Sequence, residues 1–221
     1  SGSGSLRMRA SYYRENGDFL IGGMPYLEMR QQMPRLLEGV SQGAERIKQI
    51  VANLKTYVRG DEAGLAQAVD VNAVIQSSIL LLSNVIRNAT DRFTVEYAED
   101  LPRVRGSFQR LEQVILNLIQ NACQALPDGQ KGIFVSTGRL QQAAGVQIVI
   151  RDEGTGIAPE ALPRIRDPFF TTKQDSGGIG LGLSISSKIV EEHRGTLRFN
   201  SAPGSGTTVT ITLPAEAGAE A

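Results

Sequence analysis

The chain has 221 residues, with 23 basic and 23 acidic side chains and a hydrophobic content of 41%. This length and this hydrophobic content suit one domain of moderate size with an appendage. The balanced charge gives no electrostatic reason to expect nucleic acid or an anionic membrane as the main partner. No apolar run approaches the roughly 18 residues of a membrane-spanning helix, and no stretch has the pattern of a signal peptide. The single cysteine, Cys123, excludes an internal disulfide and fits a reducing compartment.

The N-terminal part of the chain predicts a helical arm. Residues 1–5 resemble a short remnant of the expression vector and are not interpreted further. Residues 6–14 could be the tail of a helix. From about Tyr26 to Arg59 the apolar positions are spaced four and three residues apart, which is a heptad seam. The seam consists of Val40, Ala44, Ile47, Val51, Leu54 and Val58. This spacing favours an arm that pairs with other helices, and the alternative is an amphipathic helix that lies on its own domain.

A globular domain is predicted to follow, with three helices. Asn72 is expected to cap a helix that runs to about Asn88, and Ser107 is expected to cap the helix Phe108–Ala125. A third helix is expected from Leu181 to Glu192, where Gly195 stops it.

Strand patterns separate these helices, and most of the strands are linked as hairpins. The predicted strands are Phe93–Tyr97, Gly132–Leu140, Gly145–Asp152, Thr196–Asn200 and Thr207–Leu213. Such an order predicts the α+β class, as a two-layer α/β sandwich in which helices cover one face of a mixed sheet. Residues 214–221 are expected to form a loose tail.

The end of one predicted strand is a candidate ligand site. The alternating residues Val146, Ile148 and Ile150 predict a half-buried strand that delivers Asp152 to its C-terminal end. The chain then turns at once through Gly154 and Gly156. A carboxylate beside a glycine turn can accept a hydrogen bond from a ligand amine, and bare glycines let a ligand approach closely. Alone, this pattern also describes an ordinary turn.

Two further stretches suggest phosphate chemistry. Gln113, Asn117 and Asn121 are four residues apart and therefore share one helix face. Asparagine can ligate Mg²⁺ through its carbonyl oxygen and can donate to phosphate through its amide group, although a solvated polar stripe is the alternative. Gly177–Gly182 places four glycines at the mouth of a helix, where exposed N–H groups and the helix dipole favour an anion. Lys173 is a candidate phosphate contact, and a solvated lysine is its alternative.

Together these stretches resemble the ATP-binding domain of bacterial sensor histidine kinases, within the superfamily that includes gyrase, the Hsp90 chaperones and MutL. The similarity extends from about residue 25 to 213, and four motifs occur in the family's order. Leu116–Ala122 resembles the N box, Asp152–Gly156 the G1 box, Asp167–Lys173 the F box and Gly178–Gly182 the G2 box. The F box separates sensor kinases from the gyrase and chaperone branches, and details near Gln113 resemble nitrogen-regulator-type kinases.

The resemblance implies a Bergerat-type fold, ATP and Mg²⁺ as ligands, and roles for the matching residues. Asn121 would hold the metal and Asn117 would support the phosphates, while Asp152 would accept from the adenine amino group. Gln113 stands where relatives often have a carboxylate, and it would position the incoming group rather than act as a strong base. The residues expected at the nucleotide are Asn117, Asn121, Asp152, Gly154, Gly156, Ile157, Phe169, Thr171, Thr172, Lys173, Gly178, Gly180, Leu181, Gly182 and Thr207. The residues expected to serve catalysis are Gln113, Asn117 and Lys173.

The resemblance also implies a domain order and partners. Residues 6–60 would be part of a dimerising hairpin, and residues 65–213 would be the catalytic domain. In such kinases a histidine on the hairpin receives the phosphoryl group and passes it to an aspartate of a response-regulator receiver domain. The only histidine here is His193, which is expected to be structural, so the acceptor is expected upstream of Ser5 in a longer protein. A cytoplasmic location and a homodimer are implied for that protein, which could be a membrane-bound sensor.

Two rival readings remain. An ATP hydrolase or chaperone-like machine of the same superfamily would favour a carboxylate at position 113 and no F box. A non-catalytic scaffold would combine a dimerising arm with a degenerate nucleotide pocket.

Overall fold

The computed structural model describes residues 20–21, 24–58, 67–140, 143–172 and 180–216. Two compact units divide the chain, residues 1–54 and residues 55–221. The helical tail expected at residues 6–14 lies outside the described residues, as do Lys173 and Gly178 of the expected site.

The first unit is dominated by one long helix. The short strands β1 (Leu20–Ile21) and β2 (Met24–Pro25) pair antiparallel. They lead into helix α1 (Tyr26–Val58), which agrees with the predicted helix to within one residue. Val40 of the predicted seam is 71% exposed, and two neighbouring apolar side chains, Leu36 and Leu37, are exposed as well. Apolar surface is therefore available on this helix.

The second unit is built on a mixed five-stranded sheet. Its strands are β4 (Phe93–Glu96), β6 (Ile133–Arg139), β7 (Gly145–Asp152), β8 (Thr196–Ser201) and β9 (Thr207–Pro214). They lie in the order β4-β6-β7-β9-β8. β4 and β6 run parallel, and the remaining pairs are antiparallel.

Four helices complete the second layer. They are α2 (Val71–Leu81), α3 (Ser83–Ala89), α4 (Phe108–Ala125) and α5 (Gly182–Glu192). Their buried side chains join the inward-facing side chains of the sheet in one hydrophobic cluster. The predicted inward residues of β7, Val146, Ile148 and Ile150, all belong to that cluster. The two-layer α/β sandwich is thereby confirmed. None of the described helices is long and apolar enough to cross a membrane.

The start of α2 corrects one sequence prediction. Its N-cap is Asp70, whose side chain accepts from the N–H of Ala73, and not Asn72. Asn72 lies inside the helix, where its side chain donates to the carbonyl of Ala98 and accepts from the hydroxyl of Thr137. The predicted single helix is also divided at Leu82, so that α3 follows as a separate short helix. A capping residue and a long-range polar contact are indistinguishable in sequence, because asparagine serves for both.

A small second sheet was missed. β3 (Gln67–Val69) pairs antiparallel with β5 (Val104–Gly106). Beyond it, Ala215 forms a bridge to Val104, and the N–H of Glu216 donates to the carbonyl of Arg103. The ordered domain thus continues past Leu213, and residues 214–216 are not part of a loose tail. Three-residue strands are too short to show an alternating pattern.

The single histidine joins two helix ends. His193 is the C-cap of α5 and is only 4% exposed. Its Nδ1 lies 2.7 Å from the carbonyl oxygen of Ile189, and its Nε2 accepts from the N–H of Ser107 at 3.0 Å. Ser107 in turn caps α4, as predicted, by accepting from the N–H of Arg110. Because Nε2 accepts, the proton lies on Nδ1 and the ring is neutral.

This arrangement makes the stability of the domain sensitive to pH. Burial lowers the pKa of His193 below its ordinary value of 6.5; the carbonyl of Ile189 and the carboxylate of Glu192 oppose this effect, and the Arg110 guanidinium adds to it. The unfolded chain therefore binds more protons between the two pKa values. The free energy of unfolding should fall as the pH is lowered through 6.5, until the pH passes the folded-state pKa. One proton limits the slope to about 1.4 kcal/mol per pH unit.

Urea titrations at a series of pH values measure this slope. Since His193 is the only histidine, the variant His193→Gln should lose the slope near pH 6.5 and keep the acidic slope of the carboxylates. A variant that retained the full slope would show that another group carries it.

Candidate functional site

The carboxylate at the end of β7 is held by backbone amides. Asp152 is 5% exposed, and its Oδ1 accepts from the N–H of Gly154 at 2.8 Å and from the N–H of Thr207 at 3.1 Å. Asp152 and Thr207 are also opposite each other in the register of β7 and β9. Strand pairing and hydrogen bonding therefore fix one carboxylate at the strand end that the sequence indicated.

The turn after Asp152 is attached to two other elements. The N–H of Thr155 donates to the carbonyl of Ala125, the last residue of α4, at 3.0 Å. The carbonyl of Thr155 accepts from the N–H of Gly204, in the β8–β9 turn, at 2.8 Å. The strand end, the end of α4 and the β8–β9 turn consequently form one rigid corner.

Backbone packing, rather than ligand access, requires the glycines of this turn. Gly156 has a φ of +71°, and a Cβ there would collide with the carbonyl oxygen of Ala202. A Cβ at Gly154 would lie 2.6 Å from the carbonyl oxygen of Ala125. Both glycines are needed so that the backbone can pack against itself. The sequence interpretation had assigned them to ligand approach.

Ser201 completes the corner and was missed by the sequence analysis. Its Oγ donates to the carbonyl of Gly206 at 2.8 Å, accepts from the N–H of Ile157 at 2.9 Å and lies 2.9 Å from Oγ1 of Thr207. A serine hydroxyl has one proton, and it is directed at Gly206. Thr207 must therefore donate to Ser201, which leaves the Thr207 hydroxyl to act as an acceptor. The position of Ser201 just before the Ala-Pro-Gly turn was the available signal.

The three amides of α4 differ in their surroundings. Gln113, Asn117 and Asn121 are all half-buried. Asn117 donates to the hydroxyl of Ser186 on α5 at 2.9 Å, and its side chain fills the space that a Cβ at Gly182 would need. Among the described residues, Gln113 and Asn121 have no side-chain hydrogen bond. Asn117 is thus committed to the packing of α4 on α5, whereas the side-chain amides of Gln113 and Asn121 keep their hydrogen-bonding capacity.

The F-box segment contains an unusual backbone conformation. Phe169 has a φ of +66° and is 69% exposed, which is uncommon for a residue other than glycine and typical of functional segments. Its N–H donates to the carbonyl of Gly180 at 3.0 Å, while Leu181 is buried in the core. Thr171 is half-buried and Thr172 is exposed. The F box and the end of the G2 box are therefore in direct contact.

A buried carboxylate at a strand end, half-buried amides on α4 and glycines at the start of α5 are features that the sequence analysis associated with an ATP-binding domain. Residues 106–217 match the family described as histidine kinase-, DNA gyrase B-, and HSP90-like ATPase. The chain belongs to this family.

Named relatives and solved structures agree with this assignment. The sensor histidine kinase ZraS of Escherichia coli K12 is 37% identical over 180 residues, which are 81% of this chain and 37% of the relative. Sporulation kinase E of Bacillus subtilis is 34% identical over 176 residues, 80% of this chain and 23% of the relative. The mycobacterial sensor histidine kinase MprB has a structure with a TM-score of 0.58 at 30% identity, covering 68% of this chain and 98% of that one. The catalytic domain of histidine kinase ThkA gives 0.59 at 29% identity, with 67% and 95% covered.

The chain accordingly carries the ATP-binding catalytic domain of a sensor histidine kinase. It spans only 37% and 23% of the length of the two curated relatives above. The finer resemblance to nitrogen-regulator-type kinases stays a prediction.

The rigid corner can be tested at Gly156. Alanine there would force a strained φ and strike a backbone carbonyl that cannot move away, so we expect Gly156→Ala to lower the free energy of unfolding by about 1–3 kcal/mol. Gly129→Ala is the matched control, because no atom lies within 4 Å of a Cβ at that turn. Urea denaturation compares the two, and equal stabilities would contradict the packing argument.

Proposed function

We propose that this domain transfers the γ-phosphoryl group of ATP to a histidine on a helical hairpin, from which an aspartate of a response-regulator receiver domain takes it. The relatives' names, which include sensor histidine kinases, support the reaction class. The observation that carries the proposal is the buried carboxylate of Asp152, oriented by the N–H groups of Gly154 and Thr207.

On the adenine side, Asp152 would accept from the exocyclic amino group. Thr207, whose hydroxyl is left as an acceptor by Ser201, would accept from the same amino group or from a bridging water. Gly154, Gly156 and Ile157 would form the backbone next to Asp152 and Thr207. Acceptors at this position favour adenine over guanine, since guanine presents an oxygen where adenine presents an amino group.

On the phosphate side, Asn121 would bind Mg²⁺ through its side-chain oxygen. Among the described residues no group of three or more His, Cys, Asp or Glu side chains could hold a metal ion. A single amide oxygen still fits Mg²⁺, which is commonly bound by one or two protein oxygens together with substrate phosphates and waters. When bound, Mg²⁺ would neutralise charge on the phosphates. Asn117 would support the phosphates indirectly, because it fixes α4 against α5.

The glycine and F-box residues are proposed to enclose the phosphates. Gly180 and Gly182 would line this side together with Gly178, and Lys173 would contact the phosphate oxygens. Phe169, Leu181, Thr171 and Thr172 would form the neighbouring wall. Enclosure of the phosphates by these residues would exclude water from the phosphoryl transfer.

Gln113 favours transfer over hydrolysis. A glutamine cannot take a proton as a carboxylate does, so it would orient the incoming imidazole, and catalysis would consist of positioning and charge neutralisation. An ATP hydrolase of the same superfamily would need a base at this position to activate water.

The acceptor histidine is proposed to belong to the hairpin and not to the catalytic domain. His193 is unsuitable because it is buried and its Nε2 lone pair already accepts from Ser107. The exposed apolar side chains Leu36, Leu37 and Val40 on α1 suit a helical arm that pairs in a homodimer. A cytoplasmic location is part of the same proposal.

Binding of a fluorescent ATP analogue tests the nucleotide site. Asp152→Asn should weaken binding at least about tenfold, because the new amide can keep one oxygen for the backbone N–H groups and then presents a donor to the adenine amine. Asp91→Asn, an exposed aspartate with no part in the site, should bind normally. A folded Asp152→Asn protein with unchanged affinity would overturn the adenine assignment.

The metal assignment has its own comparison. Asn121→Ala should lose most of the gain in affinity that Mg²⁺ gives, while Asn88→Ala, at an exposed position of α3, should keep it. Titration of the analogue with and without Mg²⁺ measures the gain. A full gain in the Asn121 variant would place the metal elsewhere.

Transfer itself separates the kinase from the scaffold. The chain incubated alone with ATP should gain no acid-labile phosphate, whereas dimeric hairpins from the relatives, supplied as separate polypeptides, should gain it. His193→Gln should transfer equally well. Saturable nucleotide binding without transfer to any hairpin would favour the scaffold, and rapid release of ADP without a hairpin would favour the hydrolase.

A further inference from the structure

The outer strand of the main sheet borders a cleft outside the nucleotide site. Among the described strands β8 pairs only with β9, so its other edge has no partner strand. Beside that edge lies a cleft of ≈ 640 Å³, within the range of about 300–1,000 Å³ common for ligand sites. Its walls include Leu162, Pro163 and Arg166 from the segment after the G1 box, Ser187 and Glu191 from α5, and the run Gly195–Phe199.

The run Gly195–Phe199 shows that the cleft meets the backbone edge of β8. Successive side chains of a strand point to opposite faces of the sheet; here Leu197 is buried and Arg198 is exposed. Five consecutive residues can line one cleft only if the edge itself borders it. Outer strands present unpaired N–H and C=O groups there, which are a template for another extended chain.

The charged side chains of the cleft favour an acidic occupant. Arg166 and Arg198 are exposed, and neither forms an ion pair with a described residue. Nearby Arg164, in contrast, pairs with Asp167 and stacks on the ring of Phe170. Against two arginines the described lining has one acid, Glu191, so the cleft carries a net positive charge of one.

A buried hydroxyl at the cleft adds an unused polar group. Ser187 is 8% exposed, and its Oγ has no hydrogen-bond partner among the described residues. It is the one such buried side-chain atom in the described part of the chain. Buried polar groups in proteins nearly always have a partner, but this oxygen is itself buried, so an occupant of the cleft could bond to it only after the Ser187 side chain rotates. Leu162, Pro163 and Phe199 offer apolar contacts around it.

We propose that this cleft binds an extended acidic segment of a partner protein, which adds a sixth strand beside β8 and directs carboxylates to Arg166 and Arg198. A second copy of this chain is a poorer occupant. Antiparallel pairing of two β8 strands about a twofold axis would bring Arg198 towards its own counterpart, and like charges facing across strands are unfavourable. The cleft shares no residue with the proposed nucleotide site. A bound segment would therefore regulate or localise the domain without occupying the nucleotide site.

A labelled peptide tests the proposal on the whole 221-residue chain. The probe is a fluorescein-labelled peptide of about eight residues, a typical strand length, with alternating valine and aspartate. We expect saturable binding by fluorescence anisotropy, with amide NMR shifts concentrated in Gly195–Ser201. Arg198→Glu and Arg166→Glu should each weaken binding about tenfold or more, as expected for loss of a charge-assisted hydrogen bond.

Three controls make the result specific. Arg105→Glu reverses an equally exposed arginine on β5 and should leave peptide affinity unchanged. A peptide with lysine in place of aspartate, and one with alternate backbone nitrogens methylated, should both bind at least about tenfold more weakly. Each variant should still bind the fluorescent ATP analogue, which shows that it is folded.

Either of two results would overturn the proposal. One is no saturable binding of the acidic peptide by a chain that binds nucleotide normally. The other is binding that neither charge reversal nor backbone methylation weakens, because the peptide would then bind elsewhere or without strand addition.

Discussion

The candidate site depends on one buried carboxylate held between two strands. A buried carboxylate is stable only when hydrogen bonds replace its water. For Asp152 the N–H groups of Gly154 and Thr207 do so, and both are fixed by main-chain geometry: Thr207 by its register opposite Asp152, Gly154 by the turn that attaches to Ala125. A slip of one residue in the pairing of β7 would turn the carboxylate to the opposite face of the sheet, away from both N–H groups. The pairing of the sheet therefore fixes the position of the carboxylate as well as the stability of the domain.

The phosphate side depends in the same way on contacts between α4 and α5. Three polar contacts join these helices: His193 to Ser107, Arg110 to Glu192, and Asn117 to Ser186. They are distributed from the start of α4 to its middle, so the helices cannot slide without breaking at least one. α5 begins at Gly182, the last residue of the G2 box. The contact of Asn117 with Ser186 and its approach to Gly182 therefore tie the middle of α4 to the first residues of α5.

The sequence predicted what local rules determine. The helix Phe108–Ala125 and the strand Gly145–Asp152 were predicted with their observed bounds, because a serine cap and an alternating pattern are both read within a few residues. Long-range partners were not predictable. Asn72 was taken for a cap when its partners are Ala98 and Thr137, and Ser201 was missed because its partners, apart from the adjacent turn, come from the G1 segment. β3 and β5 escaped because each has only three residues, too few to show an alternating pattern.

The glycines of the motifs have a structural reason that the sequence pattern alone does not show. At Gly154, Gly156 and Gly206 an added Cβ would meet backbone atoms of the protein itself. At Gly182 it would meet the side chain of Asn117. These glycines let strand ends, turns and helices approach one another closely. Packing of the protein on itself is therefore a sufficient reason for these four glycines, without any appeal to a ligand.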